Sequence, residues 1–154
     1  MKKYVKQFVV ILCIAAVLLA MSAVLRSATG SSDLARTLEK SWDAQLPGGY
    51  VVEYRAASDE DLEEGGLRFH VLLYDDSEEL DTMLPWVPCS QPTGTTESGA
   101  QAAADMLTAL RVPGGEWPDL ERAGMWYADD DEGAEVLIFH TEEDFRLYIL
   151  ESFS

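Results

Sequence analysis

Four acidic residues followed by glycine, from Asp129 to Gly133, have the composition of a metal-binding loop. An EF-hand loop places carboxylate or amide oxygens at alternate positions and also needs glycine at position 6 and glutamate at position 12. Counted from Asp129, those positions hold Ala134 and His140. The spacing therefore favours a solvated hairpin turn, and Asp129 and Asp131 are the candidate ligands for a metal ion.

Histidine, cysteine and serine do not occur in a catalytic pattern. His70 and His140 each adjoin an apolar strand segment, which favours packing at the end of a sheet. Cys89 is the only cysteine beyond Cys13, so the C-terminal part of the chain has no internal disulfide bond. There is no Gly-x-Ser-x-Gly elbow, and 28 acidic residues make chance carboxylate pairs uninformative. The sequence therefore predicts no catalytic residue and no cofactor.

Aromatic residues in or beside loops are the best candidates for a binding surface. Trp86 lies between two prolines, and an exposed tryptophan in such a loop is typical of a binding hot spot. With Trp117, Trp126 and Tyr127 it is predicted to form a surface rimmed by residues 129–132. The alternative is that these side chains anchor the loops to the core.

The N-terminal segment is predicted to be a membrane anchor. An apolar run extends from Phe8 to Leu25 and includes Leu12 and Leu18. As a helix it would span about 27 Å, close to the roughly 30 Å hydrocarbon core of a bilayer. Three lysines precede the run and one arginine follows it, so the positive-inside rule keeps the N-terminus cytoplasmic and places residues 27–154 outside.

A cleaved signal peptide is the alternative interpretation of the same segment. Cleavage after Ala23 or Gly30 would release the rest of the chain as a secreted protein, although neither site has ideal small residues. In both interpretations residues 1–30 are a leader with a short linker. Residues 31–154 then form one acidic domain.

The charge of residues 31–154 excludes one large class of partners. This part of the chain contains all 28 acidic residues and only seven basic ones. Nucleic-acid binding depends on clustered lysine and arginine, so a nucleic-acid partner is excluded. A cationic partner stays compatible, whether a basic protein, a peptide, a divalent ion or a positively charged wall component.

Prolines and a glycine in residues 85–97 predict a loop there. The elements before this loop follow from apolar periodicity. Leu34, Leu38, Trp42 and Leu46 recur every four residues and predict one helix face. Residues 50–57 and 67–74 alternate as strands do, and residues 77–84 suit one or two helical turns.

The elements after that loop include a second helix and a strand meander. Ser98 and Gln101 have capping-box spacing and predict a helix start. Strands are predicted over residues 123–128, 134–141 and 145–152, although acidic residues after Thr141 would also suit a helix start. The fold class is α+β, with an antiparallel sheet of about five strands and two helices packed on one face. Because Pro-Gly-Gly occurs twice, a duplicated αββ unit is an alternative interpretation of the pattern.

The function expected from these observations is a non-enzymatic binding or accessory role outside the cytoplasm. Its partner would be a protein, a peptide or a cationic wall component, and residues 8–25 would contact the membrane. Two alternatives are a small extracytoplasmic hydrolase whose site the sequence does not reveal, and a surface protein that depends on divalent ions.

Overall fold

A computed structural model of the protein describes residues 33–58, 65–93 and 98–153. The predicted leader, with the anchor residues Phe8, Leu12, Leu18 and Leu25, lies outside the described residues. Within the described ranges, no helix has both the length and the apolar character needed to cross a bilayer.

The fold is α+β and is built on one antiparallel sheet. Its strands are β1 (Val51–Ala57), β2 (Gly66–Leu73), β3 (Val87–Pro88), β4 (Gly124–Asp129), β5 (Glu135–His140) and β6 (Arg146–Phe153), in the spatial order β1-β2-β6-β5-β4-β3. The helices are α1 (residues 33–42), α2 (Glu78–Met83) and α3 (Gly99–Ala109), and a 3₁₀ turn covers Gly114–Glu116. The α+β class, the antiparallel sheet and a strand for the final segment are confirmed. The sixth strand is β3, a two-residue element inside the predicted loop.

The sheet is buried on both faces, so the expected placement of two helices on one face is wrong. Alanine, methionine and leucine side chains of α3 pack with Phe69, Leu137 and Leu150 on one face. The apolar residues of α1, together with Leu80 of α2, pack on the other face with Ile138 and Ile149. A sheet covered on both faces needs strands that are apolar throughout. The runs Val-Leu-Ile-Phe in β5 and Leu-Tyr-Ile-Leu in β6 satisfy that requirement.

Helix α1 ends earlier than its apolar spacing predicts. Asp43 adopts a positive φ of 54°, a left-handed conformation that stops the helix after Trp42. Leu46 therefore follows the helix in the chain and only packs partly buried against the same core. The indole of Trp42 donates to the buried carboxylate of Glu151, 3.3 Å away, and so links the helix to β6.

The start of α3 forms as its capping residues predict. The Ser98 hydroxyl accepts a hydrogen bond from the backbone N–H of Gln101, which satisfies one free donor of the first turn. Gly99, the first residue of the helix, lies so close to β4 that a Cβ atom there would collide with the Met125 sulfur. Glycine at this position therefore lets the helix begin directly against the sheet.

The two αββ segments lie on either side of β6. Strands β1 and β2 form one flank of the sheet, and β5 and β4 form the other. In a duplicated unit, the Val-Leu-Leu-Tyr segment at residues 71–74 would correspond to the Val-Leu-Ile-Phe segment at residues 136–139. These segments face differently, since Val71 belongs to the core on the α3 side whereas Val136 belongs to the core on the α1 side. Duplication of the unit stays a prediction, but its expected packing on a single face does not occur.

Candidate functional site

An open cleft of about 1240 Å³ lies at the end of the sheet where β3, β4 and β5 meet the loop between β5 and β6. Trp86 and residues 87–90 form one part of its lining, residues 119–124 and 140–144 form a second, and Asp81, Ser98 and Ala100 complete it. These segments are distant in sequence and are brought together by the pairing of β3 with β4 and of β4 with β5.

His140 is fixed in the wall of the cleft by hydrogen bonds at both ring nitrogens. Its Nε2 atom lies 2.9 Å from Asp81 Oδ1, and its Nδ1 atom lies 3.2 Å from the carbonyl oxygen of Arg146. Both ring nitrogens therefore lie within hydrogen-bond distance of an oxygen atom of the protein. Because the side chain is only 3% exposed, neither nitrogen is available to take a proton from a nucleophile in the cleft.

Trp86 contributes the main aromatic surface of the cleft. Its indole N–H donates to the carbonyl of Leu80 at 2.9 Å, and its ring centre lies 5.8 Å from that of His140. Gly124 makes room for this side chain, because a Cβ atom there would come within 3.0 Å of Trp86 Cβ. Trp86 borders the cleft, and its indole N–H is held by the Leu80 carbonyl.

Carboxylates dominate the charged groups of the lining. Six acidic side chains contribute to it, against one arginine and His140: Asp81, Asp119, Glu121, Glu142, Glu143 and Asp144. Arg122 approaches Asp119 at 3.8 Å and Glu143 at 3.5 Å, and these pairs are well exposed. Within the described part of the chain, the carboxylates of Glu121 and Glu142 have no hydrogen-bond or ion-pair partner. The cleft therefore carries a net negative charge that its own residues do not neutralise.

Cys89 lines the cleft but is poorly suited to act as a nucleophile. The residue is 3% exposed, and its thiol donates to the carbonyl oxygen of Ala123 at 3.1 Å. Burial raises the pKa of the Cys89 thiol to about 11, so the reactive thiolate is scarce at neutral pH.

The four aromatic residues predicted to form one binding surface are divided between the two faces of the sheet. Trp86 and Trp126 pack against the core on the α1 side, whereas Trp117 and Tyr127 pack against the core on the α3 side. Trp117 donates its indole N–H to the carbonyl of Val112 at 3.0 Å. All four are partly buried, and of the four only Trp86 borders the cleft.

The acidic turn forms a hairpin between β4 and β5. Asp130 accepts hydrogen bonds from the backbone N–H groups of Glu132 and Ala134, at 3.0 and 2.8 Å. Gly133 has a φ of 90°, which closes the turn. Asp129 and Asp131 are exposed there, and no group of three or more potential metal ligands occurs among the described residues.

Sequence reasoning missed the pairing of His140 with Asp81, which are 59 positions apart. No motif connects them, because their contact depends on α2 lying beside the end of β5. The Asp-Leu-Glu-Arg segment at residues 119–122 gave no signal either. The acidic Glu-Glu-Asp at residues 142–144 was visible, but only as a possible helix start.

Compared with protein-family models, curated proteins and solved structures, the chain matches none.

Proposed function

We propose that the protein is a membrane-anchored, non-enzymatic binding domain whose acidic cleft takes a cationic group of an extracytoplasmic partner. The supporting observation is the cleft itself, whose lining combines six acidic residues with Trp86. Ammonium and guanidinium groups form charge-assisted hydrogen bonds with carboxylates and also stack on aromatic faces. A lysine or arginine side chain of a peptide, or an amine of a wall component, has the required chemistry.

The chemistry of the cleft favours binding over catalysis. Both ring nitrogens of His140 are engaged, and the Cys89 thiol is buried with a raised pKa. A nucleophile and a base in contact, which a hydrolase of the serine or cysteine type needs, are not found among the described lining residues. The negative charge of the cleft would also attract a cationic partner over distance, and salt would weaken that attraction.

The location outside the cytoplasm rests on the leader. The apolar run from Phe8 to Leu25, with lysines before it, supports an anchor with a cytoplasmic N-terminus. The linker before residue 33 is short, so the domain would act close to the membrane surface. A cationic ligand that is fixed in the cell envelope would then be within reach of the cleft.

Neutralising two unpaired carboxylates of the cleft tests this proposal. We expect the double variant Glu121→Gln/Glu142→Gln of the full-length protein to bind a short oligolysine peptide about fivefold more weakly in isothermal titration calorimetry. This corresponds to about 1 kcal/mol for two partly solvated charge contacts. Affinity of the native protein should also fall as salt is added.

A matched control removes two acidic charges at the far end of the β4–β5 hairpin. The variant Asp131→Asn/Glu132→Gln has the same net charge as the cleft variant, but its changes lie outside the lining. It should bind oligolysine as the native protein does. Equal weakening in both variants would assign the interaction to overall charge and would contradict a specific cleft.

A further inference from the structure

Large hydrophobic side chains are exposed at only one corner of the described structure. Among the described residues they are Val51 at 59%, Leu73 at 39% and Phe145 at 49%. Val51 lies directly opposite Leu73 in the β1–β2 ladder, and Leu73 lies opposite Arg146, the neighbour of Phe145. Val51 and Leu73 are thus cross-strand partners, and Phe145 directly precedes β6 at the same end of the sheet. We refer to these three residues as the apolar corner.

The first described turn of α1 lies at the same end of the sheet. Tyr50, which directly precedes Val51, has a hydrogen bond with the backbone of Ala35. Tyr50 also packs on Tyr74, with ring centres 5.6 Å apart, and the Tyr74 N–H donates to the carbonyl of Phe145 at 2.8 Å. The point at which the chain enters the domain is therefore close to the apolar corner.

The length of the linker limits how far this end can be from a bilayer. Between Leu25 and Asp33 there are seven residues, which extend to at most about 25 Å. The opposite end of the sheet, with the turn at Asp131, is separated from the entry point by the length of the β4–β5 hairpin. An anchored domain would thus hold the apolar corner at the membrane and the acidic turn away from it.

We propose that the apolar corner rests on the lipid surface to which the leader attaches the protein. This inference depends on the anchor in the proposed function. Exposed aliphatic and aromatic side chains beside the chain entry point would enter the interfacial region, where apolar groups are favoured. Glu53 and Asp144, which pair with Arg146, lie beside the corner, so a zwitterionic surface suits it better than an anionic one.

Fluorescence quenching in phosphatidylcholine nanodiscs tests the contact with the full-length protein. Single cysteines are introduced by Phe145→Cys, Leu18→Cys or Asp131→Cys in a Cys13→Ser background and labelled with an environment-sensitive dye. Cys89 is buried, and the background protein without an added cysteine measures any labelling at that position. Spin-labelled phosphatidylcholine is then added to the discs as the quencher.

The expected result is a loss of fluorescence at positions 18 and 145 and none at position 131. Quenching at position 18 without quenching at position 145 would overturn the lipid contact while leaving the anchor intact. No quenching at position 18 would overturn the anchor, and the inference with it. A blue shift at position 145 that needs two copies per disc and shows no lipid quenching would assign the corner to self-association and would also contradict the inference.

Discussion

Replacing Glu151 with alanine is expected to lower the free energy of unfolding by about 3–5 kcal/mol, the usual cost of removing one partner from a buried ion pair. The Glu151 carboxylate is fully buried in β6 and lies 3.0 Å from both Nε and a terminal nitrogen of Arg68. It also accepts the indole hydrogen bond of Trp42. The variant would leave the largely buried guanidinium without its counter-charge and would remove a contact that fastens α1 to the sheet. Urea unfolding of the full-length protein in mild detergent measures the change.

Two further variants test the physical reason for this effect. Replacing both partners, as Arg68→Met/Glu151→Leu, should recover most of the lost stability, because apolar residues of similar volume often replace a buried ion pair without loss. Glu143→Ala breaks the exposed pair with Arg122 and should cost less than about 1 kcal/mol. A double variant as unstable as Glu151→Ala would show that the charge imbalance is not the cause.

The second large effect expected is a loss of stability in acid that depends on His70. Burial, together with the nearby charges of Arg68 and Arg55, lowers the pKa of His70 to about 4, and its buried Nδ1 atom has no hydrogen-bond partner among the described residues. The unfolded chain binds the proton near pH 6.5, whereas the folded chain binds it only near pH 4. The contribution of neutral His70 to the free energy of unfolding is therefore fully present above about pH 6.5. It falls by about 3 kcal/mol as the pH decreases to about 4.

A variant that cannot titrate isolates this contribution from that of the carboxylates. The free energy of unfolding is measured for His70→Gln and for the native protein at each pH. We expect the value for the variant, minus the value for the native protein, to be about 3 kcal/mol more positive at pH 4 than at pH 7. Differential urea unfolding at several pH values gives that comparison directly. A difference between the two proteins that does not change with pH would contradict the buried, neutral state of His70.

The parts of the fold that sequence predicted are those with a local physical cause. The start of α3 was predictable because Ser98 caps the backbone of Gln101 within one turn. Strand β2 was predictable from its alternation and its dense apolar residues. The two-residue strand β3 was not, since Val87–Pro88 is defined only by its pairing with β4.

The side of the sheet on which each helix packs depends on contacts between distant residues. The apolar run of β5 nevertheless contained a usable signal, because a strand that is hydrophobic at successive positions must be covered on both faces. Glu151 gave a similar signal. An acid that follows a fully apolar strand segment needs a buried partner, and Arg68 supplies it from the neighbouring strand.

The candidate site was less accessible to sequence reasoning than the fold. The position of Trp86 between prolines predicts a place at the binding surface, and Trp86 does border the cleft, whereas Trp117, Trp126 and Tyr127 do not. The aromatic residues are divided between the two faces of the sheet because side chains alternate along a strand. The adjacent residues Trp126 and Tyr127 must therefore point to opposite faces. The carboxylates of the cleft come from α2 and two loops, and their meeting is a result of the tertiary structure.

The most direct test of the acidic cleft is the indole NMR spectrum of the full-length protein, with its tryptophans labelled with ¹⁵N, during a titration with oligolysine. Trp86 borders the cleft, whereas Trp42 is buried at the end of α1 and Trp117 lies on the other face of the sheet. A saturable shift of the Trp86 resonance, assigned with Trp86→Phe and reduced in Glu121→Gln/Glu142→Gln, is the predicted result. Binding that leaves the Trp86 resonance unmoved, or that shifts it equally in the two proteins, would contradict the cleft as the cation site.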